Sequence, residues 1–201
     1  MSFSSRVMTL GVACAIVALP SIASAEEGMN ESTFGFNGIS GLLGFVSPEG
    51  NLDSTFGLEA HVNLGAPFSS APQLIFLPGI SFWSGGFSEG SFDFDYREVG
   101  ILADGIYMIP VGEEENGLVI GVGGGLGMYF TTFDVPSVEF TGTGLETTSE
   151  STSDSDIGFS LVGNVTKPVG EQLDILGQLR LKFDGIDTVN LQGGVQYRFA
   201  K

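Results

Sequence analysis

The sequence predicts an all-β chain, an eight-stranded antiparallel up-and-down transmembrane β-barrel. Three observations carry this expectation. Apolar and polar residues alternate with period two, the signature of a pleated strand with one apolar face. The alternating segments are about 10–14 residues long, close to the roughly 9–11 that a tilted membrane strand needs and well beyond the five to six or so usual in soluble proteins. Glycine and phenylalanine are abundant, at 31 and 17 of 201 residues, whereas charged residues make only 15% of the chain.

The first 25 residues read as a leader. Arg6 is the only charge before residue 26, an apolar run extends from 7 to 19, and Pro20 precedes Ala23, Ser24 and Ala25. That is a positive start, a hydrophobic stretch and an A-x-A cleavage site, and the stretch is shorter than the about 20 residues of a spanning helix. Cys14 makes no lipoprotein box, because Gly11 stands where Leu is expected. Export follows, with a barrel domain over 26–201.

The strands come in order. The first, 34–46, has two candidate parities, Phe34/Phe36/Leu42 or Ile39/Leu43/Phe45, which a bulge would reconcile. In the second, Phe56, Leu58, Ala60, Val62 and Leu64 alternate with Gly57, Glu59, His61 and Asn63. The third and fourth lie near 73–84 and 98–110, where Pro78 and Pro110 suggest a bulge or a strand end. The fifth, 117–131, sets Leu118, Ile120, Val122, Leu126, Met128 and Phe130 against Gly121, Gly123, Gly125 and Gly127. Ile157, Phe159, Leu161 and Val165 mark the sixth. In the seventh, Leu173, Ile175, Leu179 and Leu181 alternate with Asp174, Gln178, Arg180 and Lys182. In the eighth, Val189, Leu191, Val195, Tyr197 and Phe199 alternate with Asn190, Gln192, Gln196 and Arg198.

The connections alternate as well. Short turns are expected at 66–72, 111–116 and 168–171, and outer loops at 47–54, 85–95, 132–156 and 184–188. The segment 132–156, rich in Ser, Thr and acids, is expected to be the long outer loop. An even strand count puts both ends of the barrel on the turn side, and long loops on one side with short turns on the other is the pattern of outer-membrane barrels. Aromatics fall near two levels: Phe56, Trp83, Tyr129, Phe130, Phe159 and Phe183 toward the outer rim, and Phe34, Phe36, Tyr107, Tyr197 and Phe199 toward the inner one. Such belts mark membrane interfaces.

The chain end carries a resemblance. Residues Gln192, Gly193, Gly194, Val195, Gln196, Tyr197, Arg198 and Phe199 resemble the C-terminal assembly signal of bacterial outer-membrane barrels, a polar residue, then Gly, a hydrophobic and an aromatic at set spacing, here Gln192, Gly194, Tyr197 and Phe199. The family usually ends on that aromatic, whereas Ala200 and Lys201 follow here. With the eight strands, the likeness is to small barrels of the opacity and outer-membrane-protein-A-like kind. It implies outer-membrane lipid and the barrel assembly machinery as partners. It implies no particular activity, because such barrels include adhesins, anchors, narrow channels and enzymes.

Parity also assigns a lumen. A small eight-stranded barrel is just wide enough for side chains to fill it. Glu59, His61, Asn63, Glu98, Asp104, Asp174, Gln178, Arg180, Lys182, Gln192, Gln196 and Arg198 all take the inward parity, with Asn164 beside them. Buried charges need partners, so a plug of ion pairs and amides is expected, with Arg180 and Arg198 as interior cations and the glycine face of 117–131 leaving room for long side chains.

Composition excludes several functions. A formal charge of −17, with 24 acids against seven Lys and Arg, is unsuited to a nucleic-acid backbone. One Cys makes neither a disulfide framework nor a Cys-rich zinc site. His61 is the lone histidine. The sequence resembles lipid A deacylase barrels in size, but those carry a His-x-Ser pair where this chain has Asn63, so that nucleophile is missing; omptin-type proteases are longer. Gly121, Gly123, Gly124, Gly125 and Gly127 break the G-x-G-x-x-G pattern, since Leu126 occupies a required glycine position, and no Walker Lys follows. Glu113, Glu114, Glu115, Asp154 and Asp156 fit no EF-hand loop, and weak divalent-cation binding at the outer acids is the most they suggest. No cofactor and no enzymatic activity are expected. The leading reading is a structural or interaction barrel of the outer membrane with a plugged lumen and acidic surface loops. The alternatives are a narrow channel or lipid-handling barrel, and a soluble periplasmic lipocalin-like barrel, whose faces would be reversed.

Overall fold

The computed structural model of the chain describes residues 34–50, 52–89, 92–111, 117–141 and 144–199. The expected leader over 1–25, the acids at 113–115 and residues 200–201 lie outside these. Eight strands follow one another: β1 (Gly38–Pro48), β2 (Thr55–Asn63), β3 (Leu74–Glu89), β4 (Phe92–Val111), β5 (Leu118–Thr141), β6 (Gly144–Pro168), β7 (Leu173–Phe183) and β8 (Thr188–Arg198). Each pairs antiparallel with its neighbours, and β8 returns to β1 from Gly38↔Arg198 to Pro48↔Thr188, which closes the cylinder. Closure satisfies the backbone of both would-be edge strands.

Pairing decides the open parity of β1. Its registers with β2 and β8 run without interruption through 38–46, so no bulge is needed there. Ile39, Leu43 and Phe45 point outward, while Leu42 and Val46 are buried inside. Phe34 and Phe36 precede the strand and are exposed. The prolines behave as their missing N–H requires. The β2–β3 register stops at His61↔Gly79, one residue before Pro78, and Pro110 lies beside the inner end of β4.

Four strands are much longer than expected: β3, β4, β5 and β6 have 16, 20, 24 and 25 residues, against 11, 9, 11 and 11 for β1, β2, β7 and β8. The segments 85–95 and 132–156, expected as outer loops, are therefore mostly strand. Pairing of β3 with β4 runs out to Glu89↔Phe92, and pairing of β5 with β6 out to Thr141↔Gly144. The composition reads as loop because Ser, Thr and acids cannot pack a core. A hairpin rising above the rim has no core to pack, and Thr and Val are good strand formers wherever a ladder already runs. The β5–β6 register is unbroken along its whole length, from Val119↔Thr166 upward.

The aromatic belts also need correction. Phe56, Phe159 and Phe130 are exposed on the outside, as are Tyr107, Tyr197 and Phe199 near the other end. Trp83 and Tyr129 are not part of a belt: both face inward and are buried. Trp83 lies with Val46 and Tyr96 in a buried cluster capped by Leu52, Phe133 and Ile186. Tyr129 lies over glycines. A Cβ on Gly127 would come within 2.5 Å of its ring, one on Gly100 within 2.9 Å, and one on Gly158 within 3.1 Å. These glycines act by leaving space rather than by backbone freedom. Among the described residues, the glycines with positive φ are Gly50 and Gly65, both in connections.

Candidate functional site: the lumen and its rims

Each inward side chain owes its place to strand parity, and closure brings distant strands face to face. Arg180 of β7 is 1% exposed and sits at the centre. Its Nε donates to both carboxylate oxygens of Glu59 at 3.1 and 3.3 Å, Nη2 reaches Asp104 Oδ2 at 2.7 Å, and Nη1 donates to Ser160 Oγ at 2.8 Å. Glu59 also accepts from Gln178 Nε2 at 2.7 Å and lies 3.1 Å from His61 Nε2. Gln178 donates onward to Gln192 Oε1 at 3.2 Å. The guanidinium fork suits two carboxylates at once, a geometry that a lysine ammonium does not offer.

A second cluster lies nearer the outer rim. Lys182 Nζ is 2.5 Å from Glu98 Oε1 and 2.9 Å from Asp184 Oδ2. Glu98 accepts from Trp83 Nε1 at 2.9 Å and from the Tyr96 hydroxyl at 3.0 Å. The Lys182 ammonium stands 4.4 Å from the centre of the Tyr129 ring, a cation–π distance. All these groups are buried, and the pairs answer one another's charge as an interior demands. Voids of about 10 and 20 Å³ flank the two clusters, each the size of a single water.

The remaining residues expected in the lumen distribute differently. Asn63 lies at the inner end of β2, where its Oδ1 accepts from the Gly65 N–H at 2.8 Å and shapes the turn. Gln196 is half-buried. Arg198 is not an interior cation: its side chain is 40% exposed, its Nε is 3.2 Å from Asp174, and its Nη2 donates to the Gly170 carbonyl at 2.9 Å. The strand ends within a residue of it, so its parity is inward but its depth is the rim. Tyr197 and Phe199 point outward, their rings 5.8 Å apart, and the Tyr197 hydroxyl donates to Gln172 Oε1 at 3.0 Å. Gln192 and Gly194 share the inward parity of β8.

Sequence reasoning missed Asp184, Ser160, Trp83, Tyr96 and Tyr129 as members of these clusters. Parity alone would have found Ser160, Tyr96 and Tyr129, which continues the face of Gly121 to Gly127. Asp184 lies in a connection, where no periodicity operates. Among the described residues no group of three or more His, Cys, Asp or Glu is placed to hold a metal ion.

The outside is the converse of the inside. Leu173, Ile175, Leu179, Leu191, Val195, Leu161, Ile101 and Leu58 are all exposed on the outer face of the cylinder. No family model matches the sequence. No curated protein matches it either. Solved structures do. The barrel is similar to Neisserial surface protein A, at 16% identity and a TM-score of 0.56, with 81% of this chain and 96% of that one covered. It is similar as well to a major outer membrane protein from Thermus thermophilus, at 16% identity and a TM-score of 0.54, covering 81% of this chain and 98% of that one. The fold is that of a small bacterial outer-membrane barrel. In an outer-membrane barrel the exposed apolar face is where hydrocarbon lies and the lumen is where polar groups gather, and this chain follows both rules. That accounts for the exposed Leu, Ile and Phe, which in a water-soluble domain would form an implausibly large apolar patch.

Proposed function

We propose that the chain is an integral outer-membrane barrel, exported by its leader, that serves as a structural and interaction protein rather than as a pore or an enzyme. The observation that carries this is the inside-out alternation: Glu59, Asp104, Arg180 and Lys182 buried at the centre, with Leu173, Leu179, Val195 and Tyr197 exposed outside. A soluble ligand-binding barrel needs the opposite, an apolar cavity within a polar shell. The filled lumen supports a plugged barrel, and the acidic β3–β6 wall above the rim is the surface left for partners. The residues Gln192, Gly194, Tyr197 and Phe199 serve the barrel assembly machinery in this reading.

Two measurements test it. Purified protein is expected to migrate as a compact species on a denaturing gel until boiled, and to stay in the membrane fraction without detergent. Stable solubility in detergent-free buffer would sink the proposal. In planar bilayers the protein is expected to give little or no steady conductance, because Arg180 and Lys182 lie across the lumen with their acids; large, long-lived openings would contradict the plug.

A further inference from the structure

The β3–β6 half of the cylinder rises above the other half, and this leaves a strand edge unpaired. β6 begins at Gly144, but its register with β7 opens only at Phe159↔Phe183. On the other side β6 stays paired with β5 throughout, out to Thr141↔Gly144. Hydrogen bonds show which residues face the bare edge. The Asp154 carbonyl accepts from Thr131 Oγ1 of β5 at 3.5 Å, so residue 154 directs its backbone toward β5. The Ser155 N–H instead meets the Asp154 carboxylate oxygen Oδ1 at 2.8 Å. Backbone direction alternates along an antiparallel strand, so residues 151 and 153 present N–H and C=O groups to the edge, while at 155 the carbonyl is left and the N–H is held by Asp154.

Side chains alternate here too. Glu150, Thr152, Asp154 and Asp156 share the inward parity of Ser160, while Ser151, Ser153 and Ser155 share the outward parity of Phe159. No Lys or Arg occurs between 144 and 158. Charges commonly guard an edge against pairing, but this guard is of one sign. A second copy laid along it would bring acid against acid, which disfavours pairing. A strand of opposite charge meets no such barrier.

We propose that this edge of β6 receives an extended polypeptide segment carrying Lys or Arg at every second residue, added to the sheet as one more strand. Main-chain bonds at 151 and 153, with the carbonyl of 155, supply the pairing, and the basic side chains lie across from Glu150, Asp154 and Asp156. The proposal rests on the reading of the chain as a membrane barrel that presents this wall to the outside.

The test uses the full chain in detergent micelles and a fluorescent synthetic peptide of alternating Lys and Thr. This peptide is expected to bind. A peptide of alternating Lys and Pro keeps the charge but has no N–H at the Pro positions, and is expected to bind at least tenfold more weakly. On the protein, Ser153→Pro removes an N–H that faces the free edge and leaves the β5 ladder intact; at least a tenfold loss is expected. The triple variant Glu150→Gln, Asp154→Asn, Asp156→Asn, which keeps the edge and removes its charge, is expected to lose at least as much. Failure of the Lys–Thr peptide to bind, equal binding of the Lys–Pro peptide, or unchanged binding by either variant would overturn the proposal. Heat-modifiable migration is recorded on the same samples. Wild-type protein that lacks it counts against the membrane reading, whereas a heat-modifiable protein that ignores the peptide counts against this edge alone.

Discussion

Arg180→Met is expected to lower the stability of the barrel by about 3–5 kcal/mol, the usual cost of removing one partner from a buried ion pair. The substitution leaves Glu59 and Asp104 buried inside the barrel without their cation. Glu59 would keep Gln178 and His61 as neighbours at 2.7 and 3.1 Å, but Asp104 would lose its 2.7 Å bond to the guanidinium. The measurement is a urea titration in lipid vesicles, following the compact gel species. A triple variant, Glu59→Gln, Asp104→Asn, Arg180→Met, is expected to recover most of the loss, because it removes the uncompensated charge as well as its partner. If Arg180→Met were as stable as wild type, the lumen cluster would be open to water and the plug would be wrong.

Leu179→Arg, one residue away, is expected to destabilise by about 2–4 kcal/mol for the opposite reason. A cation on the lipid face near the bilayer midplane costs about that much, and the cost falls toward the interfaces. Leu179 lies midway between Leu173 and Phe183 on the outward face of β7 and pairs with Leu191 across the ladder. Ser155→Arg, on the outward parity but in the raised wall, is expected to have almost no effect. The contrast in depth is the informative result: equal and small effects at 179 and 155 would mean that no hydrocarbon surrounds the cylinder.

Much of this is legible in the sequence. The eight strands, their antiparallel order and the side to which each residue of β2, β6, β7 and β8 points follow from period two, because a pleated strand sends neighbours to opposite faces. Arg180 and Lys182 could be placed inside on that ground alone. Depth could not. Arg198 has the same parity as Arg180 but sits at the rim, whereas Trp83 and Tyr129 show that aromatic level misleads when parity is set aside, since Tyr129 shares the inward parity of Gly127. Strand length was also misjudged. Residues 132–156 carry the composition of a solvated loop, and a ladder extending into water imposes no apolar face by which periodicity could reveal it.

What the sequence determined by itself was local: an alternation that gives strand number, face and order, together with a cation supply so small that each buried carboxylate must find one of very few partners. What only the tertiary structure decided was which partners meet. Arg180 and Glu59 are separated by 121 residues, and Lys182 and Glu98 by 84. They touch because β8 closes on β1 and sets β7 across the lumen from β2 and β4. The stagger that lifts β3–β6 above the rim, and so leaves the β6 edge bare, is a property of closure and register, which no residue encodes alone.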